Sequence, residues 1–191
     1  MSLYPITKVS GFTECLIKNP PTNNQSDYDI IIYTDGGCRN HGNTKNHHVK
    51  ATDPAAWAYL IQITKPNIAK LTATAGKFGA TNNEMELTAL IQALKTVKHY
   101  QLNNQHIEII ADSHYVLDPI TKHWLTNWQA RNWKTSTNQP VANQKLWKNL
   151  VILLTDFPHI SFNWTKGHAK NSGNNQVDAM LNNTMDLMET K

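Results

Sequence analysis

The chain has 191 residues, a hydrophobic fraction of 40% and a net charge of +4 at pH 7. That length fits one domain with a sizeable core, and the composition excludes a disordered or fibrous chain. With only Cys15 and Cys38 it is neither a disulfide scaffold nor a zinc finger, and a reducing compartment fits best; no run reaches the roughly 18–20 apolar residues of a membrane helix.

Residues 1–28 end in "KNPPTNNQSDY", a linker-like stretch preceded by a candidate short strand, "ECLIK". They read as an extension of unknown role before a domain over 29–191. The start, "MSLYPITKVSGF", lacks the charged and apolar regions of a signal peptide, so a cytoplasmic location is expected. Ile30, Ile31, Ile32 and Tyr33 read as a strand buried on both faces. It is expected to end on Asp35, where Gly36 and Gly37 suggest a sharp turn. A polar loop (36–53), a strand ("AAWAYLIQI"), a turn at Lys65-Pro66-Asn67 and a strand ("AKLTATAGKF") follow. A helix over about residues 83–100 carries Leu90, Ala93, Leu94 and Val97 at helical spacing. Thr81 or Asn82 caps it, and Glu84 completes a Thr-x-x-Glu capping box. Next come a strand ("HIEIIAD"), helical segments from Ser113 to about Ala130, and a helix over about residues 141–154. That helix sets Leu146, Trp147, Leu150, Val151 and Leu154 on one face. A strand ("HISFNWTKG") and a last helix from near Asn174 close the chain. Three strands followed by alternating helix and strand predict an α/β mixed sheet with helices packed against it.

Of the 14 acidic residues, four are not expected to be solvated surface. Asp35 and Asp112 each follow a nearly continuous apolar run. If those strands are parallel neighbours, both carboxylates reach the sheet edge where ligands bind in open α/β sheets, about 4.8 Å apart or nearly so. Glu86 lies four residues before Leu90, on the helix face that turns to the sheet. Asp178 lies three residues before Leu181 and can face the same edge. Carboxylates so placed repel one another unless cations neutralise them. Mg²⁺ takes a few carboxylates together with waters and phosphate oxygens, and a pair of such ions suits phosphodiester cleavage. Singly, each has a plainer explanation: a strand-terminal Asp forms turns, and a first-turn Glu compensates the helix dipole.

No acidic residue occurs from Pro119 to Thr155, while Lys122, Arg131, Lys134, Lys145 and Lys148 do. Trp124, Trp128, Trp133 and Trp147 share the stretch. Basic residues interleaved with aromatics suit a nucleic-acid surface; helical spacing also allows Trp124, Trp128 and above all Trp147 to be core.

The blocks "YTDGGC", "TNNEMEL", "ADSHYV" and "WTKGHAKNSGNNQVDAM" resemble type 1 ribonuclease H in order and context, over about residues 29–187. The resemblance implies a ribonuclease H-like fold, a five-stranded mixed sheet flanked by helices. It implies hydrolysis of the RNA strand of RNA–DNA hybrids with two Mg²⁺ ions, Mn²⁺ being a substitute, to give 5′-phosphate products. It assigns the metal-binding tetrad to Asp35, Glu86, Asp112 and Asp178. Asp35 would bridge both ions, Asp112 would share one and help place the attacking water, Glu86 would hold the other, and Asp178 would complete the first ion's shell. His168, in "KGHAKNSG", is similar to the family histidine that assists water activation or product departure. Cys38, Asn40, Asn82, Asn83 and Glu84 are implied contacts to 2′-hydroxyls and bases, and Thr81 matches a DNA-phosphate pocket. His114 and Asn175 join the nucleic-acid contacts. "HWLTNWQARNWK" resembles the basic protrusion of bacterial members and brings in Lys122, Trp124, Trp128, Arg131, Trp133 and Lys134.

The sequence departs from the family in "HGNTKNHHVKATDPAAW", where His41, His47 and His48 make a zinc site conceivable and polar loop decoration the plainer reading. The expected protein is a free-standing monomeric enzyme with no obligate protein partner and no membrane association. A transposase or integrase shares the fold but has a different acidic spacing. A non-catalytic hybrid-binding module would have lost one of the four carboxylates.

Overall fold

The computed structural model describes residues 28–40, 48–65, 69–166 and 171–190. The N-terminal extension, the Pro66-Asn67 turn, His41, His47 and His168 therefore lie outside the described residues. Five strands, β1 (Ile30–Cys38), β2 (Pro54–Ile63), β3 (Ala69–Phe78), β4 (Ile107–Ala111) and β5 (Ile160–Trp164), form one sheet in the order β3-β2-β1-β4-β5. The β1–β2 and β2–β3 pairs are antiparallel, and the β1–β4 and β4–β5 pairs are parallel. Five helices complete the fold: α1 (Asn82–His99), α2 (His114–Thr121), α3 (Trp124–Ala130), α4 (Gln144–Leu154) and α5 (Ser172–Glu189). Among the described residues no helix is long and apolar enough to cross a membrane.

Side chains alternate across β1, and each set has its own helix partner. Ile30 and Ile32 pack with Leu87, Leu90 and Leu94 of α1 and, further out, Trp147 and Leu150 of α4. Tyr33 faces the other way, with Ala58 and Leu60, against Val177, Leu181 and Met185 of α5. The expected stripe of α1, Leu90, Ala93, Leu94 and Val97, is completely buried. The sheet is thus covered on both faces, and the first turns of α1 and α5 both arrive at β1.

The expectation for Asp35 needs correction. β1 does not end there. It runs on to Cys38, with Asp35 opposite Ala58, Gly36 opposite Trp57 and Gly37 opposite Ala56. The glycines serve close approach rather than a turn. A Cβ on Gly36 would stand 2.1 Å from the Glu86 amide nitrogen, and one on Gly37 would stand 3.1 Å from Leu181 Cδ1.

Two helix starts also differ. α4 begins at Gln144, not Val141, because the Val141 amide bonds the Trp133 carbonyl at 3.0 Å and Asn143 takes a left-handed conformation (φ 55°) that Asn tolerates. α5 begins two residues before Asn174. The Asn171 side-chain oxygen accepts from the Gly173 amide at 3.1 Å and the Asn174 amide at 3.3 Å, satisfying two donors at the helix start. Asn171→Ala should cost about 1 kcal/mol, a fall in Tm of roughly 2–4 °C. An unchanged thermal melt would contradict the cap.

Candidate active site: an acid-lined cavity at the sheet edge

The parallel register Tyr33↔Ile110 sets the geometry. Two residues beyond that pair on each chain stand Asp35, still within β1, and Asp112, the first residue past the end of β4. α1 crosses over Gly36, which brings in Glu86 from the start of its second turn, where the sequence suggests its first. α5 is seated in the same way: a Cβ on Gly173 would stand 2.4 Å from the Tyr33 ring, so only glycine lets that helix start so near β1. Asn174 lies in the first turn of α5 and Asp178 in the second. Asp35, Glu86, Asp112 and Asp178 accordingly line one cavity of about 420 Å³, with Asn82, Asn174, Asn182 and Arg39 also on its wall.

The electrostatics are those of a carboxylate cluster short of positive charge. Burial pushes the Asp35 carboxyl up to about 7; the charge of Asp112 adds to the shift, the hydrogen bond from the Gly36 amide (2.7 Å) opposes it, and Asp178 and Glu86 raise it further. Burial also raises Glu86, against a hydrogen bond donated by the Ser113 hydroxyl at 2.6 Å, with a smaller rise from Asp112. Arg39 brings a cation to the wall. Its guanidinium, however, is already bonded to Asp186 (2.5 Å) and Glu189 (2.8 Å), and donates to the Asn182 carbonyl at 3.3 Å.

Neighbouring groups fix the acids in place. The Asn182 amide donates to Asp178 Oδ1 at 3.0 Å. The Trp164 indole N–H donates to the Asp112 carbonyl at 3.1 Å, and its ring stacks on His114 with centroids 5.0 Å apart. Asn174 Nδ2 lies 3.5 Å from Asp112 Oδ2, and its own Oδ1 is buried without a partner among the described residues.

Among the described residues no group of three or more His, Cys, Asp or Glu side chains is close enough to hold one ion. That arrangement is not an all-protein cage of the zinc or calcium kind among the described residues. It leaves the mode natural to Mg²⁺, which keeps several waters and takes one or two carboxylates plus phosphate oxygens. The donors are hard carboxylate oxygens, and the raised Asp35 carboxyl marks charge that a cation would relieve, so the residues fit such an ion.

The other expected site residues fall into two further places. Cys38, Asn40, Thr81, Asn82 and Asn83, with Val49, line a hollow of about 290 Å³. It adjoins the acid cavity, since Cys38 and Asn82 line both. Thr81 is the cap of α1, accepting from the Glu84 amide at 3.2 Å. Glu84 does not line either hollow; its carboxylate bonds Lys77 Nζ at 2.5 Å. Trp124, Trp128, Arg131 and Lys134 line a third hollow of about 570 Å³ on the α3 side. Lys122 lies 5.7 Å from the Trp124 ring centroid and pairs with Asp118 at 2.7 Å. His114 is exposed beside the end of β4, and Asn175 is exposed in the first turn of α5.

Two expectations are corrected. Trp133 is not a surface ring: it is 9% exposed, belongs to the main core and has Lys148 Nζ 5.6 Å from its ring centroid. It holds a positive φ of 60°, costly for a bulky residue, under a 2.6 Å bond from its amide to the Trp128 carbonyl. Its burial offsets that strain and leaves little of the ring exposed for a base. Asp53, read as solvated, is 2% exposed; its carboxylate accepts from the Lys50 amide at 2.8 Å and closes the turn before β2. Trp147 is fully buried core, as its spacing suggests.

Sequence reasoning missed Ser113, Asn174, Trp164 and Arg39 as neighbours of the acids. For Ser113 the signal was present, since it directly follows Asp112.

A family profile described as RNase H matches residues 27–185. The ribonuclease H of Ruthia magnifica subsp. Calyptogena magnifica is 37% identical over 161 residues, covering 84% of this chain and 98% of that protein. That of Clostridium botulinum (strain Hall) is 37% identical over 157 residues, covering 82% and 95%. Among solved structures, LC9-RNase H1, a type 1 RNase H with the type 2 active-site motif, has a TM-score of 0.71 at 20% identity, over 87% of this chain and 76% of that one. LC11-RNase H1, solved in complex with an RNA/DNA hybrid, has a TM-score of 0.58 at 20% identity, over 83% and 97%. At such identities the structures establish the fold: a five-stranded mixed sheet flanked by helices, of the ribonuclease H class. With the profile and the sequence relatives, they place the chain in the RNase H family. It is accordingly a ribonuclease H, a nuclease of the hydrolase class.

Proposed function

We propose that this protein hydrolyses the RNA strand of RNA–DNA hybrids at the acid-lined cavity, with two Mg²⁺ ions, leaving 5′-phosphate ends. The observation that carries the reading is the convergence of Asp35 from β1, Glu86 from α1, Asp112 from just past β4 and Asp178 from α5 on one cavity that is short of positive charge. Those four side chains would hold the ions. Bound there, the ions supply charge neutralisation, a water made nucleophilic at neutral pH and stabilisation of the leaving oxygen.

The chain's own residues do the rest. The Gly36 amide orients the Asp35 carboxylate, and Ser113 and Asn182 orient Glu86 and Asp178. The hollow of Cys38, Asn40, Thr81, Asn82 and Asn83 lies where an RNA strand entering the cavity would run. Its amides and hydroxyls can bond 2′-hydroxyls, the group by which a protein tells RNA from DNA. Trp124, Trp128, Arg131 and Lys134 would take the other strand through phosphate pairing and apolar contact with sugars. The hybrid bound in the LC11-RNase H1 structure is consistent with this choice of substrate.

The test is a hybrid with each strand labelled in turn, incubated with Mg²⁺ and with EDTA. The RNA strand alone should be cut, only with metal, and the fragments should carry 5′-phosphates. Cutting of the DNA strand, or cutting in EDTA, would contradict the reading. For the basic surface, replacing Lys122, Arg131 and Lys134 together with Gln should weaken binding and flatten the plot of log affinity against log salt. The slope should fall by about 2, less than three full phosphate contacts because Asp118 already offsets Lys122. An unchanged slope would remove this surface from the interface.

A further inference from the structure

We propose that Ser113 is a positioning residue for the divalent-ion site, its hydroxyl fixing the Glu86 carboxylate in the acid cavity while it caps α2. This rests on the reading of that cavity as a metal site. Ser113 is 8% exposed and caps α2 by accepting from the Val116 amide at 3.2 Å. The same oxygen donates to Glu86 Oε2 at 2.6 Å.

A serine hydroxyl has two lone pairs and one proton. The Val116 amide uses a lone pair, and an ionised Glu86 carboxylate has no proton to give, so the serine's single proton goes to Glu86. The resulting bond is short and charge-assisted, the strong kind. It joins α1 to the residue that directly follows Asp112, so Glu86 and Asp112 are held relative to one another by one contact. It engages Glu86 Oε2, while Glu86 itself lines the cavity. An Asp at position 113 would cap α2 as well, yet its carboxylate could not donate to Glu86. Partners of this kind, bonded to a metal-binding side chain, usually alter metal affinity roughly 10–100-fold when removed.

The experiment measures Mn²⁺ affinity by titration calorimetry on the full chain, and Tm in EDTA, for wild type, Ser113→Gly, Ser113→Ala, Glu86→Gln and the Ser113→Gly/Glu86→Gln double variant. Gly is a tolerated cap and Ala a poor one, so the two serine variants separate cap from carboxylate. Ser113→Ala should melt below Ser113→Gly, while both weaken Mn²⁺ binding to the same extent, by about 10-fold or more. The double variant should bind no more weakly than Glu86→Gln alone. An affinity loss that follows Tm, or full independence in the double variant, would overturn the proposal and leave Ser113 a cap only. Weakened binding in Glu86→Gln with none in Ser113→Gly strikes this inference alone. Unchanged binding in Glu86→Gln removes the metal reading of Glu86, and this inference with it.

Discussion

Asp35→Asn should lower cleavage by about 10³-fold or more and, in chelator, make the fold harder to melt. Asn keeps the shape and can still accept from the Gly36 amide, so the strand and its packing are preserved. What it removes is the charge at the centre of the cluster. The stability effect follows from the carboxyl being pushed up to about 7 from an ordinary 3.8. Below pH 3.8 the group is protonated in folded and unfolded chains alike and contributes nothing. Between 3.8 and 7 the folded state holds the proton more tightly, so folding loses stability as pH rises, and above 7 the loss is complete. Without metal at pH 8 the wild type should therefore be less stable than Asp35→Asn, on the order of 2–4 kcal/mol, and the gap should close towards pH 4. Mg²⁺ should raise the wild-type Tm at pH 8 and do little for the variant. Thermal melts at pH 5 and pH 8, with and without Mg²⁺, check this; a variant less stable than wild type at pH 8 in EDTA would mean that the cluster is not strained by its charge.

Gly36→Ala should be the most damaging alanine substitution among the described glycines. The new Cβ would meet Glu86 N at 2.1 Å, Met85 C at 2.3 Å and Glu86 Cα at 2.7 Å, all of them backbone of α1. Backbone in a packed helix cannot swing aside, so α1 must move off the sheet, at a cost of about 3 kcal/mol or more. That corresponds to a Tm fall of roughly 6–12 °C. Glu86 would move with the helix, and a misplacement near 1 Å can cost about 10²-fold in rate. Gly37→Ala is the control. Its Cβ would meet only the side-chain ends of Leu181 at 3.1 Å and Met185 at 3.7 Å, which can yield. Equal melting temperatures for the two alanine variants would overturn the close-approach account of Gly36.

These two neighbours also show how much was legible in the sequence. The four carboxylates could be picked out because each sits beside an apolar run whose period assigns it a face: Asp35 and Asp112 after strands, Glu86 and Asp178 on inward helix faces. β3 was legible to its end residues because its turn signals are strong. The path of β1 was not. Two glycines after a carboxylate look the same whether the chain turns there or a helix lies across it, and only the position of α1 decides between them. Val141 was assigned to α4 because apolar spacing continues through it, but its amide is taken by Trp133 from outside the helix. Trp133 itself was grouped with its basic neighbours, and local pattern cannot show that a left-handed backbone folds the ring inward. Asn174 was missed for a related reason: its value lies in a partner distant in sequence, Asp112.

The measurement that bears most directly on the central claim is a cleavage assay on one RNA sequence in three forms: single-stranded, paired with RNA and paired with DNA, each with Mg²⁺ and with EDTA. Cutting of the hybrid alone, and only with metal, is the predicted result. Cutting of all three forms, or tight hybrid binding with no cutting in either Mg²⁺ or Mn²⁺, would contradict the account of the acid-lined cavity as a hybrid-specific hydrolytic centre.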